Sequence, residues 1–256
     1  MLPDVIRPFD SRRDMAQPGD HKATLRFCID HFIHCAREAI QTRQRFIVAL
    51  SGGSTPKSLY QALASPPFRD QIDWQYVFLF WSDERAVPPT DPDSNFLMAM
   101  EAGLAQLPIP KEQIFRMQAE GNIGENAQRY EEIINTLVPD RTFDLILLGM
   151  GEDGHVASLF PHTEGLTTQN RLVIENYIPQ KNCWRMTFTF TLINQSRCIA
   201  IYVLGESKAQ RFAEVLLTPD DPMRLPAQSV GTSQHKSLWI ADNQAAKILN
   251  TQWTHI

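Results

Sequence analysis

One pattern constrains the fold of this 256-residue chain more than any other: a short apolar run, a polar or glycine-containing loop and a helical stretch recur along it. The runs at 46–50, 76–80 and 143–148 show the pattern most clearly. Because both faces of each run are apolar, each strand must be covered on both sides, as in a parallel sheet between helices. The sequence therefore predicts an α/β, Rossmann-like three-layer fold with a mainly parallel sheet flanked by helices.

The remaining periodic segments extend this scheme. Apolar residues at three- and four-residue steps between Leu25 and Ile40 predict a helix that packs on the sheet. Further strands are predicted at 172–175, 185–191, 199–204 and 237–241, and further helices at 57–64, 94–107, 126–137 and 207–217. The segment 218–227 is rich in Pro and Asp, but strands on both sides favour a surface loop over a linker. We therefore expect one domain over residues 1–256.

Composition and charge narrow the classes of partner. The chain is 43% hydrophobic and carries a net charge of −5, so it lacks the basic face typical of nucleic-acid-binding proteins. No apolar run approaches the ~20 residues of a membrane span, and residues 1–7 lack the features of a secretory signal. We expect a cytoplasmic protein with a small-molecule partner and neither nucleic acid nor membrane. A monomer is the expected assembly, although the residues themselves leave it open.

Cysteine and histidine spacing gives no recognisable metal or disulfide motif. The four cysteines share no close spacing of the zinc or redox type, so we expect reduced, mostly buried thiols. They are Cys28, Cys35, Cys183 and Cys198. A group of polar residues on the first predicted helix is interpreted as its solvated outer face, without a function. This group is His31, His34, Cys35 and Glu38.

The loops after the three clearest strands should converge, because open parallel sheets bind ligands at the carboxyl ends of their strands. The first loop consists of Ser51, Gly52, Gly53, Ser54 and Thr55. Thr55 is predicted to cap the following helix, with Pro56 at its first position. The loop then offers N–H groups, hydroxyls and a helix N-terminus, which suit a phosphate or an oxyanion. Alternatively, its glycines serve only a tight bend. It matches no nucleotide-binding fingerprint, so no nucleotide cofactor is expected.

Charged side chains follow the second strand. Asp83 and Arg85 lie just before a proline-rich segment, which can hold side chains in place. The alternative is a solvated charged turn, with Asp93 or Ser94 capping the next helix. The position of these residues beside the other loops favours a role in binding or catalysis.

The loop after the third strand contains the strongest catalytic candidate. Three glycines between residues 149 and 155 surround an acid, Asp153, and an imidazole, His155, and Gly154 lies between them. A histidine with an ordinary pKa near 6.5 exchanges protons at neutral pH. His162 offers a second imidazole, but no third ligand has a recognisable zinc spacing, so no metal is expected.

Two cations further along the chain are candidate phosphate ligands. Arg185 begins a predicted strand and Lys208 lies at the start of a predicted helix. Arg can bind a phosphate through a bidentate fork and Lys as a point charge. The alternative is that each is an ordinary surface cation.

Taken together, these segments resemble the 6-phosphogluconolactonases in order and spacing, from about residue 46 to the C-terminus. The matching blocks are 51–56, 81–85 with 93–95, 149–161, 185–187, 205–208 and 225–227. The related glucosamine-6-phosphate deaminases have Tyr where this chain has Arg85, and an acid where it has Phe160. Val156 departs from the lactonase pattern, in which Thr is more common.

The resemblance implies hydrolysis of 6-phospho-D-glucono-1,5-lactone without a metal or organic cofactor. His155 would activate water, Arg85 with loop N–H groups would stabilise the oxyanion, and Asp153 or Asp83 would contact the imidazole. Arg185 and Lys208, with the 51–55 loop, would hold the 6-phosphate. Two alternatives remain open, an amino-sugar-phosphate isomerase or deaminase and a non-catalytic sugar-phosphate sensor.

Overall fold

A computed structural model describes residues 5–253. Residues 1–4, which are part of the segment predicted to lack a secretory signal, lie outside the described residues. The strands are β1 (Ile6–Pro8), β2 (Arg13–Ala16), β3 (Phe46–Leu50), β4 (Val77–Trp81), β5 (Asp83–Arg85), β6 (Leu145–Gly149), β7 (Val173–Ile178), β8 (Cys183–Phe188), β9 (Ile199–Val203) and β10 (Ser237–Ala241). The α-helices are α1 (His21–Arg43), α2 (Ser54–Leu63), α3 (Asn95–Glu101), α4 (Ile123–Leu137), α5 (Phe190–Ile193), α6 (Ala209–Leu217) and α7 (Lys247–Trp253).

The main sheet has seven strands in the order β1-β2-β10-β9-β6-β3-β4. Its neighbouring strands run parallel except for β1 and β2 at one edge. Every residue of β3, β9 and β10 is buried, as expected for strands covered by helices on both faces. The predicted mainly parallel sheet is confirmed, and β3 and β10 have the predicted bounds.

The long helix α1 covers one face of this sheet. The Asp20 carboxylate caps its first turn by accepting the Ala23 N–H at 2.8 Å. The assignment of His31 to a solvated outer face is wrong, because this residue is only 5% exposed. His31 follows Phe27 by four residues and Cys28 by three, so it lies on the same inward-facing stripe. His34 and Glu38 are exposed, as predicted.

A second, three-stranded sheet was not predicted. It is antiparallel, with the order β5-β8-β7, and it contains Asp83 and Arg85, which were expected in a loop. A three-residue polar strand carries no local signal; its pairing with β8 defines it. The strand predicted at 185–191 instead ends at Phe188, and α5 follows. The edge strand β1 and its neighbour β2, both short, were also missed.

Several helix boundaries differ from the predicted ones. Helix α2 begins at Ser54 with Gly53 at the cap position, so the expected Thr55 cap is wrong. Helix α3 ends at Glu101 rather than 107, before Gly103 adopts a φ of +119°. Lys208 belongs to a 3₁₀ turn before α6.

The four cysteines are free thiols, and their burial differs from the prediction. Only Cys28 is buried, whereas the other three are partly exposed. Within residues 5–253, no helix combines the length and apolar character needed to cross a membrane.

Candidate active site

The three predicted loops enclose a cleft of about 250 Å³ at the carboxyl edge of the main sheet, joined by residues from β8 and from the turn after β9. Ten of the predicted site residues line it: Ser51, Gly52, Gly53, Ser54, Thr55, Asp83, Arg85, His155, Arg185 and Lys208. Asp153 and Gly154 are not among the lining residues but belong to the loop that carries His155. The structure therefore brings the predicted loops together at one site.

His155 is held on two sides. Its Nδ1 lies 2.5 Å from Asp153 Oδ1, and its backbone N–H donates to the same oxygen at 3.1 Å. Its ring stacks on Phe160, with 3.8 Å between centroids and 16° between planes. An Nδ1–H that donates to a carboxylate leaves the Nε2 lone pair free to accept a proton. Of the two acids left open by the sequence, Asp153 is the one that contacts the imidazole.

Asp153 is suited to orient a histidine at neutral pH. Partial burial raises the pKa of its carboxyl group, but the hydrogen bond and charge interaction with His155 outweigh this and hold the pKa below its ordinary value. The carboxyl group is therefore ionised at neutral pH, and its negative charge stabilises the imidazolium form when His155 takes up a proton.

Gly151 makes room for this pair. A Cβ at Gly151 would lie 2.1 Å from His155 Nδ1 and 2.6 Å from Asp153 Oδ1, far inside van der Waals contact. At Gly149, two residues earlier, a Cβ would meet nothing within 4 Å. The glycines of this loop thus differ in role: Gly151 is required by the close packing of the imidazole and its acid.

Asp83 links the loops instead of contacting His155. Its carboxylate accepts the Ser158 hydroxyl at 2.6 Å and the Asn95 side-chain amide at 3.3 Å. The amide of Asn95 in turn lies against Gly52, where a Cβ would fall 1.9 Å from Asn95 Oδ1. The first loop, β5 and the histidine loop are therefore held in register through one buried carboxylate. A direct catalytic role for Asp83 stays a prediction.

Glu84 fixes the beginning of α3, a role that the sequence analysis missed. Its buried carboxylate accepts the Ser94 hydroxyl and the backbone N–H groups of Arg85, Asn95 and Phe96 at 2.7–3.0 Å. Burial raises the pKa of this group, and the three N–H donors oppose the rise. Its separation of ten residues from Ser94 hides the contact from local sequence patterns.

Three cations face the cleft without acidic partners. Cross-strand pairing of β5 with β8 puts Arg85 directly opposite Arg185, an arrangement that like charges normally disfavour. Both Nε atoms are buried and have no hydrogen-bond partner, although Arg85 Nη1 donates to the Asp93 carbonyl. Within residues 5–253, neither arginine nor Lys208 forms an ion pair with a carboxylate. An anionic ligand would supply the missing charge.

A helix N-terminus adds to this positive region. Helix α2 begins at the cleft, with Gly53 at a φ of +105° and no side-chain cap. The N–H groups of a first helical turn need acceptors from outside the helix, and anions are well suited to supply them. The cleft therefore combines a proton-accepting imidazole with several groups that attract negative charge.

Comparison with known proteins agrees with this geometry. The family model for glucosamine-6-phosphate isomerases/6-phosphogluconolactonase matches residues 19–239, most of the chain. The chain belongs to this family. This match confirms the resemblance inferred from the sequence. The matched residues begin at 19, whereas the resemblance was carried by residues from about 46 onward.

Several relatives within the isomerase/lactonase family carry the lactonase name. A 6-phosphogluconolactonase of Haemophilus influenzae is 38% identical over 202 residues, covering 79% of this chain and 87% of that protein. One from Synechocystis is 41% identical over 219 residues, covering 83% and 88%. The crystal structure of a 6-phosphogluconolactonase from Thermotoga maritima superposes with a TM-score of 0.77 at 29% identity, covering 89% of this chain and 98% of that one.

A separate cluster of potential metal ligands lies outside the cleft. Among the described residues, the ligand atoms of three such side chains converge; the residues are His31, Cys35 and Cys198. None of these three residues lines the active-site cleft.

Proposed function

We propose that this chain hydrolyses 6-phospho-D-glucono-1,5-lactone to 6-phospho-D-gluconate, with His155 as general base. The observation that carries the proposal is the His155–Asp153 pair in a cleft lined by cations without acidic partners. The names of the family relatives support the same reaction. A lactone is an activated ester, so attack by water assisted by one imidazole is a sufficient chemical route.

The proposed reaction needs one proton carrier. His155 Nε2 removes a proton from water as the water oxygen attacks C1, and the carbonyl electrons move onto the carbonyl oxygen. The tetrahedral intermediate then collapses, the bond from C1 to the ring oxygen breaks, and His155 returns the proton to that oxygen. Asp153 keeps Nδ1 protonated throughout. Arg85 and loop N–H groups stabilise the oxyanion, which can contribute a few kcal/mol for each donor.

The 6-phosphate accounts for the remaining cations in this proposal. Arg185 and Lys208 bind it together with the uncapped start of α2 and the 51–55 loop, and Gly154, at a φ of +87°, lets the histidine loop turn. Fixing the phosphate holds the lactone carbonyl beside His155, and such positioning contributes strongly to the rate. Because no step uses a metal or organic cofactor, the proposed chemistry rests on side chains and water alone.

Phe160 argues against the deaminase alternative. It stacks on His155 at the position where the resemblance places an acid in deaminases, and a phenyl ring transfers no proton. A sensor that only binds a sugar phosphate would need the cations and the glycine loop, but it would have no use for an imidazole paired with a carboxylate.

The test is a direct assay with two substrates. Fresh 6-phosphogluconolactone is added to chelator-treated protein, and acid release is followed against the spontaneous rate; ammonia release from glucosamine 6-phosphate is measured in parallel. We expect rapid acid release and no ammonia. Acid release at only the spontaneous rate, or ammonia release, would contradict the proposal. In protein that stays folded without metal, recovery of activity only after metal is returned would contradict its metal-free chemistry.

We further propose that the chain acts as a single-domain monomer in the cytoplasm. Four free thiols are typical of a reducing compartment, and one connected hydrophobic core extends from Met15 to Leu249. Light scattering after size exclusion should give one species near the chain mass of 29.2 kDa. A species of twice that mass would contradict the monomer.

A further inference from the structure

The cluster of His31, Cys35 and Cys198 lies at the amino edge of the main sheet, opposite the catalytic cleft. His31 and Cys35 are one helical turn apart on α1, and Cys198 immediately precedes β9. His31 Nε2 lies 3.7 Å from the sulfur of Cys35 and 3.7 Å from the sulfur of Cys198. The three ligand atoms all lie within 4.8 Å of one another, so two distant parts of the chain meet here.

The distances fit a tetrahedral metal site. Zinc binds thiolate sulfur at about 2.3 Å and imidazole nitrogen at about 2.0–2.1 Å. At a tetrahedral angle these bond lengths place sulfur and nitrogen about 3.6 Å apart, close to both observed separations. Two sulfurs and one imidazole nitrogen form a donor set that zinc prefers over magnesium or calcium.

The burial of His31 is not explained by its other contacts. The side chain is only 5% exposed and stacks on Phe27, yet its Nδ1 has no hydrogen-bond partner. Its polar contacts are therefore the two long approaches to sulfur. A buried imidazole is costly unless its polar atoms are satisfied. A metal ion bound at Nε2 would replace the two weak contacts with sulfur by a strong interaction, and Nδ1 would stay without a partner.

The two thiols of the cluster supply the chemistry that a metal needs. The thiolate, and not the thiol, is the metal ligand, and binding of a cation favours loss of the thiol protons.

Access and a fourth position come from an open cavity of about 790 Å³ beside the cluster. Its wall includes the exposed side chains of His34, three residues after His31, and Glu38, three residues after Cys35. A metal ion could therefore enter from solvent and keep water as its fourth ligand.

We propose that His31, Cys35 and Cys198 form a zinc site that ties helix α1 to the start of β9 and is separate from the catalytic cleft. The bound ion stabilises the fold by joining two segments that lie 163 residues apart, from Cys35 to Cys198. It takes no part in lactone hydrolysis.

The test uses the full chain, reduced and stripped with a chelator, and cobalt(II) as a spectroscopic probe. We expect one equivalent of Co²⁺ to give thiolate charge-transfer absorption and the intense visible bands of a tetrahedral ion, and Zn²⁺ to displace it. Zn²⁺ should also raise the melting temperature. Absence of thiolate bands, or a melting temperature unaffected by Zn²⁺, would overturn the site.

Matched variants locate the binding. Cys198→Ser and Cys35→Ser should each weaken Co²⁺ binding by more than about 100-fold, since changes even outside the ligand set cost 10–100-fold. Cys183→Ser, the same substitution at a partly exposed cysteine of β8, and His155→Ala should retain the bands. Unchanged Co²⁺ binding in Cys198→Ser, or loss of Co²⁺ binding in His155→Ala, would contradict the proposal. So would a reduced protein that binds no metal and forms a Cys35–Cys198 disulfide on mild oxidation.

Lactonase activity is recorded for the same samples. We expect Cys198→Ser to retain wild-type kcat while it loses metal binding. The test of the zinc site is therefore independent of the test of lactone hydrolysis. A Cys198→Ser protein that binds Co²⁺ normally overturns the site whatever its activity.

Discussion

Two histidines, at opposite edges of one parallel sheet, have opposite surroundings. His155 is partly exposed in a cleft, with a carboxylate on Nδ1 and an aromatic ring against its face. His31 is buried on α1 between two sulfurs, with no partner on Nδ1. A carboxylate orients an imidazole for proton transfer, whereas thiols beside an imidazole form a soft donor set for a metal. The partner atoms, and not the residue type, distinguish the two sites.

Among changes that leave the imidazole of His155 in place, the largest effect is expected from crowding it. Gly151→Ala places a methyl group where His155 and Asp153 meet, and a displacement of about 1 Å can cost on the order of 100-fold in rate. We expect kcat for lactone hydrolysis to fall by about that factor with little change in metal binding at His31.

Gly149→Ala is the matched control, because its Cβ would meet nothing within 4 Å. It should retain near-normal activity. Equal losses in the two variants, measured with melting temperatures to confirm folding, would show that the loop needs glycine for its backbone and not for the space beside His155.

The next effect tests the orienting acid. Asp153→Asn keeps the shape but loses the charge, so we expect kcat to fall by about 10- to 100-fold. The pKa of the Asp153 carboxyl group lies below its ordinary value, so the wild-type group is ionised throughout the range from pH 5.5 to 8. Rates measured across this range should therefore show a deficit throughout. A deficit that disappears within this range would contradict the orienting role.

A smaller effect should separate binding from chemistry. Arg185→Ala removes one proposed phosphate ligand, and a hydrogen bond to a charged group contributes about 1.5–3 kcal/mol. We expect KM to rise about 10-fold or more with a smaller change in kcat. Arg129→Ala, which removes an exposed arginine on α4, should change neither constant. A large fall in kcat with unchanged KM would place Arg185 at the reacting carbonyl.

The fold was predictable where local pattern and burial agree. Strand β3 is apolar on both faces, so sequence alone identifies it as a buried parallel strand, and the apolar run in β10 predicts a strand with the observed bounds. The second sheet was not predictable in this way, because β5 is three polar residues whose strand geometry depends on pairing with β8, about a hundred residues later. Short strands of this kind are defined by tertiary contacts and leave no periodic signal.

The same limit applies to the sites. The glycine-rich loop around His155 is contiguous, so residue types alone pointed to it. Glu84 reaches the start of α3 across ten residues, and the sulfur of Cys198 reaches His31 across 167. No local motif records such contacts. The burial of His31, by contrast, follows from its spacing of three and four residues from Cys28 and Phe27 on α1, which its assignment to a solvated face overlooked. Only the folded chain brings the two sulfurs to the imidazole.

The central claim, that His155 is the general base, is tested most directly by the kinetics of His155→Ala. Acid release from fresh lactone is measured for this variant, for the wild type and for His34→Ala, which removes an exposed histidine from α1. The account predicts a fall in kcat/KM of about 10²–10⁴-fold for His155→Ala only, with all three proteins folded. Hydrolysis by His155→Ala at the wild-type rate would contradict it.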